Sequence, residues 1–442
     1  MLLVKERPLL LMAHRCFIDL CLMNMSNLSK MIKDPNYQHK PKPKPKPKPM
    51  NGLRVLDIAT FVAAPHAASI LGEFGADVIK IENPNGGDPW RRFGTASEEP
   101  DRSLAWLSEA RNKRSITLNF RKLEGVEIFK RLVRSADVVC ENFRPGTLEK
   151  WGLGWDVLQR INPGLVLLRV TGYGQDGPYK DRPGFARIGH AVGGLTYLSG
   201  LPGEVPVTPG STSLGDYITG MYGAIGVLMA LRHRDVSGVG QIVDMALYES
   251  VFRVLDEIVP RYARHDYIRE PEGTGTINAC PHGHFVCADG KFFAIACTTD
   301  KMFERLCLAM DRRDLVSAYG AQQERLAARD KVIKEVNIWA GSLPRDELLA
   351  QCIKNDVPAG PINSIADIFN DPHFKARKDM VAVDVPGIGE VVVPNVFPKL
   401  TESPGEVQSL GPSLGDANLA IYGDELGLTA SEIDALKARG VV

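Results

Sequence analysis

Apolar runs of strand length alternate with amphipathic helical segments along the chain after residue 50. The predicted strands are rich in branched apolar residues and cover 53–59, 77–82, 114–120, 137–143 and 165–174. Helical periodicity marks the segments between them, at 65–76, 123–136 and 147–161. Because strands that alternate with helices form parallel sheets covered on both faces, the pattern predicts an α/β fold with a Rossmann-like parallel sheet. Such sheets bind ligands beyond the carboxyl ends of their strands.

The second half of the chain combines helices with hairpins. A helix is predicted from Asp216 to about Arg232, followed by a strand-to-helix unit at 240–258. Turn residues between apolar runs predict hairpins at 284–298 and 380–394. Further helices are predicted at 301–311 and 345–354 and at the C-terminus, where Thr429 and Glu432 have capping-box spacing. We therefore predict a large α/β domain built from 50–260 and 366–442, and a smaller α+β domain inserted at 275–365.

The first 49 residues differ from the rest. Residues 40–49 read KPKPKPKPKP, an extended and solvated spacer, and the stretch before it is apolar with a few basic residues. We interpret residues 1–49 as a disordered extension. A weak organellar presequence and a short interaction helix stay open, so the expected location is cytoplasmic, or mitochondrial if the segment is a presequence in a eukaryote.

Charge and cysteine content narrow the class of protein. The chain has 53 basic and 53 acidic residues, but residues 1–49 carry a surplus of positive charge, which leaves the body slightly acidic. An acidic body argues against a nucleic-acid partner. Eight cysteines in 442 residues indicate no disulfide framework and favour a reduced compartment. No apolar stretch is expected to be long enough to span a membrane.

Two motifs suggest cofactors. The sequence GYGQDG at 172–177 matches a dinucleotide fingerprint after a strand, but Pro178 follows where a helix should begin, which indicates an accidental match. A metal-like density of ligands occurs at Cys280, His282, His284 and Cys287. Four ligands so close in sequence rarely meet at one tetrahedral centre, so we expect no metal site and favour a structural or substrate-facing pair of histidines.

Asp216 is the most informative single residue. It precedes a helix in which Gly220, Gly223 and Gly226 recur every three residues. Pattern alone favours a helix N-cap, whose carboxylate accepts a backbone N–H. The alternative is a reactive carboxylate, kept ionised by the helix dipole, in front of a helix that other groups can approach closely.

Eight stretches that follow residue 50 in order occur together. They lie at 52–88, 112–120, 136–155, 170–185, 213–231, 238–250, 357–364 and in the terminal LKARGVV. Together they resemble the class III CoA-transferase family, which includes formyl-CoA transferase, carnitine CoA-transferases and α-methylacyl-CoA racemases. The resemblance implies an interlocked homodimer with acyl-CoA and carboxylate substrates. We expect no permanently bound cofactor and, from the lack of a long apolar stretch, no membrane partner.

The resemblance also implies a site. Asp216 matches the catalytic nucleophile of the family, which forms an aspartyl covalent intermediate. The positions that match its CoA site are Val62, Ala63, Asn83, Leu118, Arg121, Asn142, Phe143, Arg144 and Lys150. Backbone N–H groups near Gly215 or in the 273–275 loop are candidates for stabilising oxyanions.

Departures from the family pattern narrow the substrate. Phe185 and Ala186 stand where the racemase branch carries acid–base residues, which disfavours racemisation, and a different loop at 272–284 disfavours oxalate. We expect Arg187, His282 and His284 to hold the second carboxylate of a dicarboxylic acid. The leading interpretation is therefore transfer of CoA from succinyl-CoA to an acid such as malate or citramalate. An acyl-CoA racemase or isomerase and a silent CoA-binding protein are the alternatives.

Overall fold

Six parallel strands form the central sheet, in the order β3-β2-β1-β4-β5-β6. The structure is a computed structural model that describes residues 47–442. The strands of this sheet are β1 (Arg54–Asp57), β2 (Asp77–Glu82), β3 (Lys113–Thr117), β4 (Val138–Glu141), β5 (Val166–Thr171) and β6 (Ile242–Ala246). The predicted parallel α/β sheet is therefore confirmed. The strand order reverses between β1 and β4, which opens a crevice at the carboxyl edge.

Helices cover both faces of this sheet because its strands present apolar side chains in both directions. One face packs Leu56, Ile79 and Val139 against helices that include Leu123–Val133 and the C-terminal Ala430–Ala438. The other face packs buried strand residues against two helices, Ala63–Glu73 and Leu214–Ser237. The remaining helices on this part of the chain are Leu104–Glu109, Thr147–Lys150, Trp155–Ile161, Ala186–Val192, Leu247–Phe252 and Ile258–His265, with 3₁₀ turns at Pro89–Arg92 and Pro209–Ser211.

The predicted helix at 147–161 is wrong in one respect, because two helices occupy that stretch. The chain breaks between Lys150 and Trp155, where Gly152 has a φ of 70° and Gly154 is extended. A positive φ is open to glycine at little cost, so the two glycines end one helix and start the next.

A second group of elements follows residue 280 and has its own hydrophobic core. Three antiparallel strands, β7 (His282–Val286), β8 (Phe292–Ala296) and β9 (Ala359–Pro361), pack with helices Asp300–Ala309, Asp314–Tyr319, Gln322–Ala327, Arg329–Gly341 and Arg345–Lys354. The hairpin predicted at 284–298 is confirmed, whereas β9 was not predicted.

The chain then forms helices Ile365–Asn370 and Pro372–Arg377 and a hairpin of β10 (Met380–Val385) and β11 (Gly389–Pro394). A π-helical turn at Leu419–Glu425 precedes the last helix. That helix has the predicted capping box, in which Thr429 and Glu432 bond each other's backbone N–H groups. Both the hairpin and the cap are therefore confirmed.

The helix Leu214–Ser237 packs closely on Ala63–Glu73. A Cβ at Gly220 would lie 2.7 Å from the backbone oxygen of Ala63, and one at Gly223 would lie 3.4 Å from the Cβ of Ala67. Leu214–Ser237 is also long and apolar enough to cross a membrane, which the sequence analysis did not expect of any segment. Because its buried side packs into the protein core, length and composition are weak evidence for a span.

Residues Lys48–Val442 form one compact unit. The bounds of a large and a small domain stay a prediction. Residues 1–46 of the predicted disordered extension lie outside the described residues.

Candidate active site

Asp216 faces a cavity of about 220 Å³ at the carboxyl edge of the sheet. The cavity is lined by the segments that follow three strands: 60–63 after β1, 142–145 after β4, and 170–172 with 180 and 182–185 after β5. Leu247 completes it. We call it the Asp216 cavity. Its position is the crevice where the strand order reverses, which is where sheets of this type bind ligands.

A second cavity, of about 310 Å³, lies beside the first. Its walls are formed by residues after β1, β2, β3 and β4, among them Asn83, Leu118 and Arg121. We call it the Arg121 cavity. Thr60 and Phe143 line both cavities, so the two spaces adjoin along the crevice between β1 and β4.

Asp216 is the third residue of its helix, so the N-cap interpretation is wrong. Ser213 holds the N-cap position, and the backbone N–H of Asp216 donates to the Ser213 oxygen over 2.9 Å. The Asp216 carboxyl is half-buried, and burial raises its pKa to about 7. The expectation that the helix dipole keeps this group fully ionised is therefore corrected, because loss of water outweighs the dipole. A carboxyl poised near neutrality in a cavity is typical of a reacting group.

Asn142 joins the two loops that separate the cavities. Its Oδ1 accepts the backbone N–H of Thr60 over 2.8 Å, and its Nδ2 donates to the Thr60 oxygen over 2.7 Å. The next residue, Phe143, donates its backbone N–H to Glu141 over 2.7 Å. Glu141 is buried and pairs with Arg169 at 2.6 Å, and its burial raises its pKa to about 7. Side chains thus fix the backbone that lines the crevice.

A buried group of four charges supports the loop after β1. Asp57, Lys80, Asp88 and Lys113 are buried together, with Lys113 at 2.8 Å from Asp57 and Lys80 at 3.0 Å from Asp88. Lys80 also donates to the Ala59 oxygen. Two cations balance two anions, which is what charges need in a dry interior.

The same group holds a strained turn. Asp88 accepts the backbone N–H of Phe61 over 3.1 Å, and Phe61 has a φ of 62°. Left-handed backbone costs energy for a bulky residue, so the surrounding contacts must impose it. The turn places Phe61 and Val62 on the wall of the Asp216 cavity.

Eight of the nine predicted CoA-binding positions line the two cavities. Those on the Asp216 cavity are Val62, Ala63, Asn142, Phe143 and Arg144, and those on the Arg121 cavity are Asn83, Leu118, Arg121 and, again, Phe143. Lys150 lines neither. It is exposed on the helix Thr147–Lys150, between Thr147 and Trp151, which do line the Arg121 cavity.

The predicted second-carboxylate residues lie elsewhere. Arg187 is exposed on the helix Ala186–Val192 and does not line the Asp216 cavity. His282 and His284 lie on β7 and line a cavity of about 500 Å³ together with the 273–275 loop. The physical reason is topological, because β7 belongs to the separate antiparallel sheet. Within the described chain the structure therefore does not bring these three residues to Asp216.

The two neighbouring cysteines of β7 are buried in the core, and no group of three or more His, Cys, Asp or Glu within residues 47–442 is arranged to hold a metal ion. The six cysteines of the described range are free thiols. The 172–177 segment is a loop, so the dinucleotide fingerprint is not followed by a helix.

The candidate oxyanion donors are already engaged. The Gly215 N–H donates to Nε2 of His190 over 2.7 Å. In the other loop, the Gly273 N–H donates to the Gly200 oxygen and the Gly275 N–H to the Glu272 oxygen. These hydrogen bonds engage the donors of Gly215, Gly273 and Gly275, and a role for the other N–H groups near Gly215 or in the 273–275 loop stays a prediction.

Several residues on the Asp216 cavity were not predicted from the sequence. They are Thr60, Phe61, Lys180, Arg182 and Phe185. Lys180 and Arg182 add two cations to the lining of the Asp216 cavity. The guanidinium of Arg182 stacks over Tyr179 at 3.6 Å, which aligns it. The one available signal was their place in the loop that follows a predicted strand.

The Asp216 carboxyl, with a pKa of about 7, lies in a cavity that is also lined by cationic side chains, at the point where the strand order of a parallel sheet reverses. This arrangement is typical of an α/β enzyme in which a carboxylate attacks the acyl group of an anionic substrate. Residues 50–418 match the family described as CoA-transferase family III, and the chain belongs to that family. It is therefore a class III CoA-transferase.

The similar proteins include both subunits of one enzyme. The alpha subunit of a succinyl-CoA–L-malate CoA-transferase of Chloroflexus aurantiacus is 57% identical over 89% of this chain and 92% of its own. The beta subunit is 56% identical over 88% of this chain and 97% of its own. A succinyl-CoA–D-citramalate CoA-transferase of that organism is 40% identical over 89% and 98%. A CAIB/BAIF family protein from Brucella suis has the same fold, with a TM-score of 0.76, 34% identity, and coverage of 86% of this chain and all of its own.

Proposed function

We propose that this enzyme transfers CoA from succinyl-CoA to L-malate or a related dicarboxylic acid such as citramalate, with Asp216 as the nucleophile. One observation carries the proposal: the Asp216 carboxyl, with its pKa raised to about 7, faces a cavity that adjoins the Arg121 cavity. Family membership supplies CoA, and the similarity to the malate enzyme supports the acids.

The reaction proceeds by four acyl transfers, and no proton is taken up or released over the whole cycle. The Asp216 carboxylate attacks the thioester carbonyl of succinyl-CoA, which gives a mixed anhydride and CoA thiolate. The thiolate attacks the aspartyl carbonyl, releases succinate and leaves an aspartyl-CoA thioester. The malate carboxylate then attacks that thioester and expels the thiolate, and the thiolate attacks the malyl carbonyl. Malyl-CoA leaves, and the Asp216 carboxylate is restored.

The two cavities divide the substrate between them. The reacting thioester belongs at Asp216, and the longer part of CoA extends past Phe143 into the Arg121 cavity. Arg121, Arg144 and Lys150 supply positive charge for the phosphates. Asn142 and Phe143 offer ordered backbone beside the pantetheine arm.

The distal carboxylate of the acid falls to different residues from those that the sequence indicated. Succinyl and malyl groups both carry a second carboxylate, and Lys180 and Arg182 are cations on the wall of the Asp216 cavity. We assign the distal carboxylate to these two side chains, with Arg182 aligned by its stacking on Tyr179.

We further propose that the chain acts as a homodimer. It is almost equally similar to the alpha and the beta subunit of the malate enzyme, at 57% and 56% identity. Equal similarity supports one chain that fills both roles. A preparation of this chain alone, with its mass measured in solution, tests the point: a monomer, or a dimer that is inactive without a second chain, overturns it.

The function is tested by incubating the purified chain with succinyl-CoA and each of L-malate, citramalate, oxalate and a 2-methylacyl-CoA. Thioester products are identified by mass, for the wild type and for Asp216→Ala. We expect malyl-CoA or citramalyl-CoA from the wild type and none from the variant. Inversion of the 2-methylacyl-CoA without transfer would establish a racemase instead. Transfer that survives Asp216→Ala would remove the covalent mechanism.

A further inference from the structure

His190 caps the helix that carries Asp216 in an unusual way. The helix begins at Leu214, and its first N–H groups have no intrahelical acceptor. Asp216 and Tyr217 donate to the Ser213 oxygen, at 2.9 and 3.2 Å. The N–H of Gly215 donates over 2.7 Å to Nε2 of His190, which lies on the separate helix Ala186–Val192. The His190 side chain, from a different helix, thus accepts a first-turn N–H that a local N-cap side chain would otherwise accept.

The glycine before Asp216 is matched to that imidazole. A Cβ at position 215 would lie 3.0 Å from both Cδ2 and Nε2 of His190, and 3.4 Å from Val251. Contacts this close leave little room for a larger residue. Gly215 therefore allows the ring to approach the backbone directly.

The carbonyl of the same glycine is also held. The Thr219 hydroxyl donates to the Gly215 oxygen over 2.7 Å and lies 2.5 Å from the Ser250 hydroxyl, which donates to the Leu247 oxygen. The three residues Thr219, Ser250 and Leu247 are all buried. The peptide group before Gly215 is thus held by His190 from another helix, and the one after it by Thr219 of the same helix, whose hydroxyl contacts Ser250.

The state of the imidazole is set by its surroundings. His190 is 1% exposed, and burial together with the nearby charge of Arg187 lowers its pKa, so the ring is neutral at pH 7. Because Nε2 accepts from Gly215, the ring proton lies on Nδ1, by inference from the hydrogen bond. That Nδ1 is buried and has no hydrogen-bond partner among the residues that the structure describes. A buried polar atom left unpaired is costly, so the site keeps an imidazole for the bond that its other nitrogen makes.

We infer that His190 is a positioning residue for the nucleophile: its Nε2 fixes the Gly215 peptide and thereby the place of the Asp216 carboxyl on the cavity wall. Covalent transfer needs the carboxylate within close reach of a thioester carbonyl, and a small displacement lowers the rate strongly. His190 does not line the Asp216 cavity, so its effect passes through the backbone. The inference rests on the proposed function for its kinetic consequence only.

The test compares two substitutions of similar size. His190→Leu removes the acceptor, and His190→Gln offers a side-chain oxygen in its place. In His190→Leu we expect kcat for CoA transfer to fall by about 10- to 100-fold, with KM for succinyl-CoA changed less than about twofold. In His190→Gln we expect kcat to be at least about tenfold higher than in His190→Leu, or equal to the wild-type value if the leucine variant loses less than that. Wild-type kcat in His190→Leu, or a glutamine variant as slow as the leucine one, overturns the inference.

Two further measurements separate positioning from folding. Leu231→Ala removes a buried side chain near the far end of the same helix, and we expect it to lower the melting temperature while kcat stays unchanged. Amide hydrogen exchange of a peptide covering 212–218, in substrate-free protein, should accelerate in His190→Leu and not in Leu231→Ala. If the exchange rate of this peptide is the same in His190→Leu as in the wild type, the hydrogen bond from Gly215 to His190 is refuted, whichever reaction the enzyme catalyses. If the wild type does not transfer CoA but exchange is faster in His190→Leu, the proposed function is refuted while the hydrogen bond between His190 and Gly215 remains supported.

Discussion

The Lys80 ammonium lies 3.0 Å from the Asp88 carboxylate, and both side chains are buried beneath the turn at Phe61. One Asp88 oxygen pairs with Lys80, and the other accepts the backbone N–H groups of Phe61 and Trp90, so the side chain serves both as a charge partner and as a backbone acceptor. The two roles can be separated by substitution.

Asp88→Asn keeps an acceptor for the Phe61 N–H but removes the charge. Because two buried cations, Lys80 and Lys113, would then share the single buried carboxylate of Asp57, we expect the free energy of unfolding to fall by about 3–5 kcal/mol, with little change in KM for succinyl-CoA. Asp88→Ala also removes the acceptor for the backbone N–H groups, so we expect it to lose more stability than Asp88→Asn and, because the turn relaxes, to raise KM about tenfold. Denaturant unfolding and steady-state kinetics measure the two effects, and equal KM values in the two variants would contradict the role of the turn.

The activity should follow the ionisation of Asp216. Only the carboxylate is a nucleophile, and the pKa of Asp216 is raised to about 7 by burial. We expect kcat/KM for succinyl-CoA to fall about tenfold for each pH unit below 7 and to level off above it. The profile is measured between about pH 5.5 and 8.5, a range over which the protein must first be shown to stay folded. A flat profile would disprove the assignment.

The same raised pKa makes Asp216 a cost to stability. In the unfolded chain the group has its ordinary pKa of 3.8, so between that value and about 7 the folded protein binds more protons. Stability is therefore lost as pH rises through this window, and the loss is complete above it. We expect Asp216→Asn to raise the free energy of unfolding by about 1–3 kcal/mol at pH 8 and by much less near pH 4. Unfolding curves at both pH values test the sign, and destabilisation at pH 8 would contradict it.

Gly220 sets the spacing between the Asp216 helix and its neighbour. Alanine gains about 0.5–1 kcal/mol of helix propensity, but its Cβ would lie 2.7 Å from the Ala63 backbone oxygen and 3.0 Å from His66. We expect Gly220→Ala to lower both the melting temperature and kcat, because Ala63 lines the Asp216 cavity. Gly341→Ala is the control, since its Cβ meets its nearest neighbour at 3.9 Å. If both variants behave as wild type, the close packing is unimportant.

Arg182 should determine the preference for dicarboxylic acids. Arg182→Met keeps most of the aliphatic part of the side chain and removes the charged guanidinium. We expect kcat/KM with L-malate to fall by about 10- to 100-fold, and kcat/KM with a monocarboxylic acid of similar size to change little, since only the former presents a second carboxylate. Competition between the two acids, followed by mass of the thioesters, gives the ratio directly. A loss shared equally by both acids would assign Arg182 to CoA.

Most of the central sheet could be predicted from the sequence, because its strands are apolar runs bounded by turn residues. The two hairpins were equally clear, since alternation and turn chemistry agree there. β9 was missed because three residues, Ala359–Pro361, have no periodicity and pair only through tertiary structure. The break at Gly152 was missed because a helical pattern continues on both sides of it.

The site was less accessible to pattern. Asp216 was identified through the family resemblance, whereas its local pattern favoured an N-cap. Lys80 sits in the apolar strand DVIKIE, and its partners, Asp57 and Asp88, are distant in sequence or in a loop, so no spacing reveals the pair. Arg182 lies in a loop, and His190 lies on a helix of seven residues that is too short to show a clear period in the sequence. Their roles depend on which loops the topology brings together.

The reversal of strand order between β1 and β4 divides the substrate site between separate stretches of chain. The loop at 172–185 reaches the Asp216 cavity alone, and the loops after β2 and β3 reach the Arg121 cavity alone. Under the proposed function, the choice of acid and the binding of the nucleotide end of the thioester therefore depend on different segments. Replacing 172–185 with the corresponding segment of a transferase of other specificity should therefore change the acceptor acid while CoA binding stays the same. The two properties could then be engineered separately.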